Sequence, residues 1–410
     1  MIDFLVDENK TFSYADLFAA VNDIESISTV VQEKDYFTLF VQYVAAIVYG
    51  VDITVVDSDL SAIEKKNLGK KSFTIKTQGE PAVESFQDLL SIFEQRKKTW
   101  RLTLFTSGTT GRPKTVTHTL SSLTRMVRTG DRYEKSVWGF AYNPTHFAGF
   151  QVFFQALYNC NKVVRLFGRP YTEIALEIDS HHVTHISATP TFVRGLVGLL
   201  AAADQAFSSV RRITTGGERF DERLVGRIEN HFPNARVNNI YASTEAGSLF
   251  VGHGDLLSVP ESLREFVSFS DTNEILLHKS LLGTADELEI AGNWYNTGDI
   301  VDEPNHTGFR IQGRRSDFIN VGGYKVNPHE VEATVRTIVG VTEVRCYGIS
   351  NPITGKLVAV DVVSNGAVNA EEMESRIDRV CQSALQDYKR PRIINIVKTI
   401  DQTHTGKLKR

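Results

Sequence analysis

Cysteine is scarce in this chain. Only three are present among 410 residues, Cys160, Cys346 and Cys381. Their wide spacing and odd number do not fit a disulfide framework or a zinc site. We therefore expect buried thiols in a reducing compartment, which is typical of a cytoplasmic protein.

The chain also lacks a strong charge of either sign and a long apolar run. Its formal net charge is −4 and it has no long basic block, which argues against a nucleic-acid partner. The most apolar window is YFTLFVQYVAAIVYG, which Gln42 interrupts. This window is shorter than the roughly 20 apolar residues that a spanning helix needs. It predicts a buried helix, and we expect no membrane span.

What is present is an alternation of helical and strand-like runs up to about Gly313. The helix prediction falls on YADLFAAVNDIE, and the strand predictions on VDITVVDS, THISATP, RRITTGG and NARVNNIYAS. This alternation predicts an α/β fold, and polar residues and glycines collect at the strand exits, where such sheets bind ligands. From about Asp317 onward, two helices and three strands predict a compact α+β unit.

The segment TLFTSGTTGRPKTVTHT carries the first candidate site. Small residues from Thr106 to Gly111 follow a strand and precede Lys114. Glycines let backbone N–H groups turn inward, hydroxyls add donors, and the lysine adds a charge suited to phosphate. The loop predicts a polyphosphate site, although such clusters also form flexible linkers. An NTPase P-loop fits less well, because Pro113 stands where that motif has glycine.

This loop resembles the phosphate-binding signature of the adenylate-forming superfamily, which comprises acyl- and aryl-CoA synthetases, luciferases and peptide-synthetase adenylation domains. Further segments match in the family's order: TTGGERF, NNIYASTEAG, WYNTGDI, GRRSDFINVGGYKVNPHEVE and the closing DQTHTGKLKR. Each alone also fits an ordinary turn, strand end or solvated tail. Together they imply a large multi-sheet N-terminal domain, 1–313, a hinge, 314–317, and a small mobile α+β domain, 318–410.

The resemblance implies a nucleotide site residue by residue. Asn239 and Tyr241 would contact adenine, Asp299 would bind both ribose hydroxyls, and Arg314 would contact the ribose or a phosphate. The other implied ATP-binding residues are Thr106, Ser107, Gly108, Thr109, Thr110, Gly111, Lys114, Gly217 and Glu218.

Three residues would carry the chemistry. Thr244 would donate to the α-phosphate, and Lys407 would enter the site for adenylation. Glu245 would hold Mg²⁺, a hard cation that prefers oxygen ligands. Ser316 stands where many members have Asp or Lys, so the pivot residue of the hinge is left open.

The substrate side rests on the segments NPTHFAGFQVFF and TTGGERF. His146 matches the position that gates the acyl pocket in the family, Phe147 follows it, and Gly216 would line that pocket. Gly323 would let a pantetheine arm pass close to the backbone. The sequence leaves the acid and the oligomeric state open.

The function that the resemblance implies is an ATP-dependent acid–thiol ligase acting on a small carboxylic acid. Its cofactors would be ATP, Mg²⁺ and CoA, or the phosphopantetheine of a carrier protein. Two alternatives stay open: an adenylating enzyme that loads a carrier protein or an amine, and a non-catalytic nucleotide-binding homologue. Retention of both Glu245 and Lys407 favours catalysis.

Overall fold

The computed structural model describes residues 2–58, 72–77, 83–106, 114–218, 220, 222–285, 288–352 and 354–401. The chain divides into two compact units. The first consists of Met1–Phe266 with Leu277–Tyr295, and the second of Val267–Leu276 with Asn296–Arg410.

The described residues form the following strands: β1 Asp3–Asp7, β2 Lys10–Ser13, β3 Ser26–Ser28, β4 Val30–Val31, β5 Ile53–Val55, β6 Thr74–Lys76, β7 Arg101–Thr106, β8 Lys114–Thr119, β9 Val137–Phe140, β10 Lys162–Arg165, β11 His185–Ala188, β12 Arg212–Gly216, β13 Arg236–Ser243, β14 Gly247–His253, β15 Leu256–Ser258, β16 Val267–Phe269, β17 Glu274–His278, β18 Ile290–Ala291, β19 Trp294–Val301, β20 Ile311–Arg314, β21 Ile319–Val321, β22 Tyr324–Val326, β23 Val341–Asn351, β24 Gly355–Ser364 and β25 Ile393–Val397. They also form the following α-helices: α1 Tyr14–Asn22, α2 Tyr36–Val48, α3 Phe86–Arg96, α4 Leu120–Leu123, α5 Phe147–Leu157, α6 Tyr171–Ser180, α7 Pro190–Ala203, α8 Arg223–His231, α9 Pro328–Val335 and α10 Ala370–Ala384.

A nine-stranded sheet, counted over the described residues, organises the first unit in the order β15-β14-β13-β12-β11-β9-β10-β1-β2. The six strands from β13 to β1 run parallel, and β14, β15 and β2 pair antiparallel at the two sides. The strand predictions for β11, β12 and β13 are therefore confirmed. Because parallel strands end together, the residues after β9, β11, β12 and β13 meet at one edge of the sheet.

The apolar window near the N-terminus is a buried helix, as predicted. Ten of the thirteen residues of α2 are buried, and Asp35 caps its N-terminus by accepting from the Thr38 N–H. Phe40 packs among the rings of Phe4, Phe140 and Phe153. Burial of each large apolar side chain contributes about 1.5–3 kcal/mol, so α2 anchors the core of this unit.

A second sheet of the first unit has the order β4-β5-β7-β8. Strand β5 runs parallel to β7 and ends two residues before Asp57, while β7 and β8 are antiparallel partners with Thr106 opposite Lys114. The predicted phosphate loop therefore joins the last residue of one strand to the first residue of its partner. Its residues 107–113 lie outside the described ranges.

The second unit contains the predicted α+β arrangement. Strands β22, β21, β24, β23 and β25 form one sheet, and helices α9 and α10 follow the predicted segments. Buried side chains of the sheet and both helices, including Val331, Val360 and Ile377, form its core. The proposed domain limits at 313 and 318 remain predictions.

Every helix among the described residues is too short or too polar to cross a membrane.

Candidate active site

The carboxyl edge of the nine-stranded sheet gathers much of the predicted site. Gly216 ends β12, and Gly217 and Glu218 occupy the bend after it. His146 and Phe147 follow β9, and the Thr244–Glu245 pair follows β13. Burial raises the pKa of the Tyr142 hydroxyl, which reaches the carbonyls of Ala188 at 2.8 Å and Gly216 at 3.2 Å and so ties two strand ends together.

Glu218 has a structural task in addition to its predicted one. Its Oε2 accepts from the Thr191 N–H at 2.9 Å and the Thr191 hydroxyl at 2.7 Å, and Arg194 lies 3.8 Å away. Thr191 lies in the first turn of α7, where backbone N–H groups lack partners within the helix and a negative charge is favourable. Glu218 thus fixes the bend after β12 to the start of α7.

Asn239 and Tyr241 lie in β13, two residues apart. Asn239 is 6% exposed, and its amide has no hydrogen-bond partner within the described ranges. The ring of Tyr241 is stacked on Phe250 of β14, with centroids 5.1 Å apart and an interplanar angle of 14°. An amide can donate and accept hydrogen bonds and an aromatic ring can stack on a base, so this pair has the chemistry that the predicted adenine contact needs.

Thr244, Glu245 and Ala246 form the three-residue loop of the β13–β14 hairpin, hereafter the tip loop. Gly247, the first residue of β14 after this loop, has φ +78°, a conformation that glycine adopts without steric strain. A register shift follows Tyr241, because it pairs with Phe250 whereas Ala242 pairs with Ser248. Bulges of this kind redirect side chains near active sites.

The backbone of the tip loop is held by three residues that the sequence did not single out. The Thr244 carbonyl accepts from His118 Nε2 at 2.6 Å, the Glu245 carbonyl from the Gly283 N–H at 2.7 Å, and the Ala246 carbonyl from Arg125 Nη1 at 3.2 Å. Burial lowers the pKa of His118, and the bond to the Thr244 carbonyl opposes that effect in part.

The tip loop fits a magnesium ion that is held mainly by nucleotide phosphates. The Glu245 carboxylate is half-buried and makes no hydrogen bond or ion pair within the described ranges. Those ranges contain no group of three or more His, Cys, Asp or Glu that could hold a metal. One carboxylate with substrate phosphates and water is the usual arrangement for Mg²⁺, so Glu245 has the required chemistry.

His146 and Phe147 have different surroundings. His146 precedes helix α5, and its Nε2 lies 3.4 Å from Asp57 Oδ2, which also accepts from Asn143 Nδ2 at 3.0 Å. Phe147 is buried, and its ring lies 5.2 Å from the His118 ring. Asp57 was not anticipated, although its place just after a strand is a signal that could have found it.

In the second unit, two predicted nucleotide residues face each other. Asp299 on β19 pairs with Arg314 on β20, and Arg314 Nε donates to Asp299 Oδ1 at 3.0 Å.

Gly323 lies in the exposed turn between β21 and β22 with φ +90°. A Cβ placed there would meet no heavy atom of the described residues within 4 Å, apart from its chain neighbours. That openness suits the predicted close approach of a pantetheine arm.

Several predicted residues lie outside the description. Ser107, Gly108, Thr109, Thr110, Gly111 and Lys407 fall on residues that the structure does not describe. Thr106 and Lys114 are described only as paired backbone positions at the ends of β7 and β8.

Comparison with protein families matches residues 46–265 to the AMP-binding enzyme model and residues 330–407 to the model of the AMP-binding enzyme C-terminal domain. The chain belongs to the AMP-binding enzyme family. The adenylate-forming superfamily, predicted from the ordered motifs, is thereby confirmed.

Relatives of this AMP-binding enzyme are CoA ligases. The chain is 26% identical over 343 residues to 2-succinylbenzoate–CoA ligase of Staphylococcus epidermidis, covering 75% of this chain and 68% of the relative. It is 24% identical over 341 residues to 3-hydroxybenzoate–CoA ligase of an Aromatoleum species, covering 75% and 64%. These matches confirm the predicted enzyme class, an AMP-forming acid–CoA ligase.

The fold is shared with solved structures of the same class. O-succinylbenzoate coenzyme A synthetase of Bacillus subtilis, in complex with ATP and magnesium ion, superposes with a TM-score of 0.72 at 19% identity. The match covers 99% of this chain and 95% of that one. It confirms the predicted mixed α/β architecture of a large N-terminal domain and a small C-terminal domain, and the complex agrees with the expectation of ATP and Mg²⁺.

Proposed function

We propose that this AMP-binding enzyme joins a small carboxylic acid to the thiol of CoA in two steps. The acid's carboxylate oxygen first attacks the α-phosphorus of ATP, which gives an acyl-adenylate and pyrophosphate. A thiol then attacks the acyl carbon and releases AMP. The observation that carries this proposal is the tip loop, which sets Thr244 and Glu245 at the carboxyl edge of the sheet beside Asn239 and Tyr241.

Activation is needed because a carboxylate has no good leaving group, whereas AMP leaves readily once it is bonded to the acyl carbon. Negative charge grows on the phosphate oxygens during the first step. Thr244 is proposed to donate to the α-phosphate, and Lys407 to supply a positive charge. Preorganised groups of this kind usually supply much of the rate enhancement of phosphoryl and acyl transfer.

Glu245 is the proposed protein ligand of Mg²⁺, which neutralises charge on the phosphates when it is bound. Among the described residues, its carboxylate makes no hydrogen bond or ion pair that metal binding would have to break. No general base is required for the first step, because a carboxylic acid is already ionised at neutral pH. The chain's own task in this step is therefore to orient the nucleotide and the acid and to stabilise the charge that develops on the phosphates.

The acid is proposed to bind near His146, at the start of helix α5. The relatives act on 2-succinylbenzoate and 3-hydroxybenzoate, so aromatic acids are the first class to examine. CoA is the proposed acceptor because those relatives are named as CoA ligases. We further propose a cytoplasmic location, supported by three free cysteines, of which Cys346 and Cys381 are buried.

Pyrophosphate release over a panel of aryl, short and medium-chain acids tests this function. The proposal expects release that requires both ATP and one class of acid, and AMP release that rises when CoA is added. Release of pyrophosphate without any dependence on an acid would contradict it.

A further inference from the structure

The tip loop is held at each of its three backbone carbonyls, and each donor comes from a different segment. His118 lies on β8, Arg125 lies two residues beyond helix α4, and Gly283 follows a short 3₁₀ helix. A carbonyl oxygen only accepts, so His118 must carry its proton on Nε2. The Nδ1 of the same ring lies 3.2 Å from the Ser122 hydroxyl, which fixes the ring's orientation.

The donors are tied to one another. Arg125 Nη2 donates to the Leu281 carbonyl at 3.1 Å while its Nη1 reaches Ala246, so one guanidinium joins two segments. The segment that carries Gly283 is fixed to β8, because the backbones of Thr117 and Thr284 exchange two hydrogen bonds of 2.9 Å. His118, Arg125 and Gly283 therefore form one connected set of hydrogen-bond donors, hereafter the frame, that holds the tip loop.

The frame leaves no room for change at Gly283. A Cβ there would lie 2.7 Å from Val116 Cγ1 and 2.9 Å from both His118 Cε1 and the Thr117 carbonyl oxygen. Such distances are too short for non-bonded carbon atoms, so only glycine brings its N–H close enough to reach the Glu245 carbonyl.

The frame also joins two predicted nucleotide motifs. His118 lies four residues after Lys114 on the same strand, and that strand begins where the predicted phosphate loop ends. Strand β8 thus runs from the phosphate loop directly to the backbone of Thr244.

We propose that His118 and Arg125 are positioning residues that hold Thr244 and Glu245 in the geometry needed for magnesium–nucleotide binding. This inference rests on the proposed function. Both residues bond to backbone carbonyls of the tip loop, so the proposed effect is transmitted through that loop. Groups that orient metal ligands typically change affinity or activity by about 10–100-fold when they are removed.

Two replacements of His118 distinguish the effect of its hydrogen-bond donor from the effect of its volume. The amide nitrogen of His118→Gln stands near the position of Nε2 and can donate to the Thr244 carbonyl. His118→Leu fills similar space but has no donor. His253 supplies a matched control, because its Nδ1 bonds the Val237 carbonyl at 2.9 Å at the far end of the same hairpin.

Binding of α,β-methylene-ATP, measured by titration calorimetry with MgCl₂ and with EDTA, tests the inference without any acid. His118→Leu should weaken binding by about 10–100-fold in MgCl₂ and by less in EDTA. His118→Gln should recover most of that loss, and His253→Leu should bind as the unaltered protein does. Unaltered binding by a folded His118→Leu, or equal loss in both His118 variants, would overturn the inference.

Arg125→Lys provides an independent variant if His118→Leu does not fold. Lysine keeps the charge, but its single ammonium group cannot reach the Ala246 and Leu281 carbonyls as the fork of arginine does. We expect the same selective loss of Mg²⁺-dependent binding, and unchanged binding would overturn the inference.

If the unaltered protein binds the analogue normally but releases no pyrophosphate with any acid, the proposed function fails while the positioning role stands.

Discussion

Asp299 and Arg314 face each other on paired antiparallel strands, with Arg314 Nε donating to Asp299 Oδ1 at 3.0 Å. The aspartate side chain is only 8% exposed, whereas that of the arginine is 52% exposed. A strand position and a charged partner therefore fix the carboxylate, which suits it to accept from two ribose hydroxyls.

The change Asp299→Ala should raise the KM for ATP by about 10–100-fold, because hydrogen bonds to a charged group contribute about 1.5–3 kcal/mol. The KM for the acid should change much less. Steady-state kinetics with each substrate varied in turn measure both values. An equal rise in the two constants would show that the ribose assignment is wrong.

Sequence patterns were informative where the signal is local. The exits of β12 and β13 could be predicted because a strand pattern followed by Gly-Gly-Glu or Thr-Glu is contained in a short window. The bond from His118 to Thr244 spans 126 positions, and its acceptor is a backbone carbonyl that every residue possesses. No local pattern specifies such a partner, so the frame around the tip loop emerges only from the packed fold.

The same distinction explains Asp57 and Glu218. Asp57 follows a strand of the four-stranded sheet, whereas His146 follows a strand of the nine-stranded sheet. The sequence alone does not show that these two side chains would meet. Glu218 was predicted from its motif, but its bond to the first turn of α7 depends on how two neighbouring strands place their following segments. Burial and tertiary hydrogen bonding, and not the local motif, decide these partners.

Glu245→Gln should keep the fold and weaken Mg²⁺-dependent adenylation. The amide is neutral and binds a hard cation less well than a carboxylate does. Pyrophosphate release measured across MgCl₂ concentrations should therefore need more magnesium to reach half-maximal rate. The exposed Glu229→Gln serves as the control, and an unchanged magnesium requirement in Glu245→Gln would remove the metal assignment.

Asp57→Asn should alter acid preference in the same direction as His146→Ala, because Asp57 fixes the imidazole of His146 through the 3.4 Å contact. The KM for ATP should stay close to its original value in both. The comparison is the ratio of kcat/KM across the acid panel. As a control, Asp7→Asn removes another largely buried carboxylate, paired with Arg165, and should leave that ratio unchanged. Identical acid profiles in all variants would favour a purely structural role.

His185 should make stability depend on pH. Burial, together with Arg212 and Arg211, lowers the pKa of His185 from 6.5 to about 4, and its ring lies 4.7 Å from that of Trp138. As pH falls from 6.5 toward 4, the unfolded chain binds a proton that the folded chain does not, so stability is lost by up to about 3 kcal/mol. His185→Gln should flatten this part of a Tm-against-pH curve, and an unchanged slope would contradict the assignment.

Lys407→Ala should slow acyl-adenylate formation by about 10²–10³, the usual loss for one preorganised electrostatic contact. Thioester formation from synthetic adenylate and CoA should continue at nearly the original rate. Ser316→Pro, which restricts the proposed hinge backbone, should show the opposite pattern. Equal damage to both half-reactions by Lys407→Ala would remove the proposed alternation of the small domain.

In the proposed reaction, the acid is activated by transfer of AMP to its carboxylate. An acid from the active class, labelled with ¹⁸O in its carboxyl group, tests this directly when it reacts with ATP and CoA. Attack on the α-phosphorus followed by thiolysis leaves one carboxyl oxygen on the phosphate of AMP, so mass spectrometry should find a single ¹⁸O in the AMP product. Unlabelled AMP, or label in inorganic phosphate with ADP as the other product, would contradict the account.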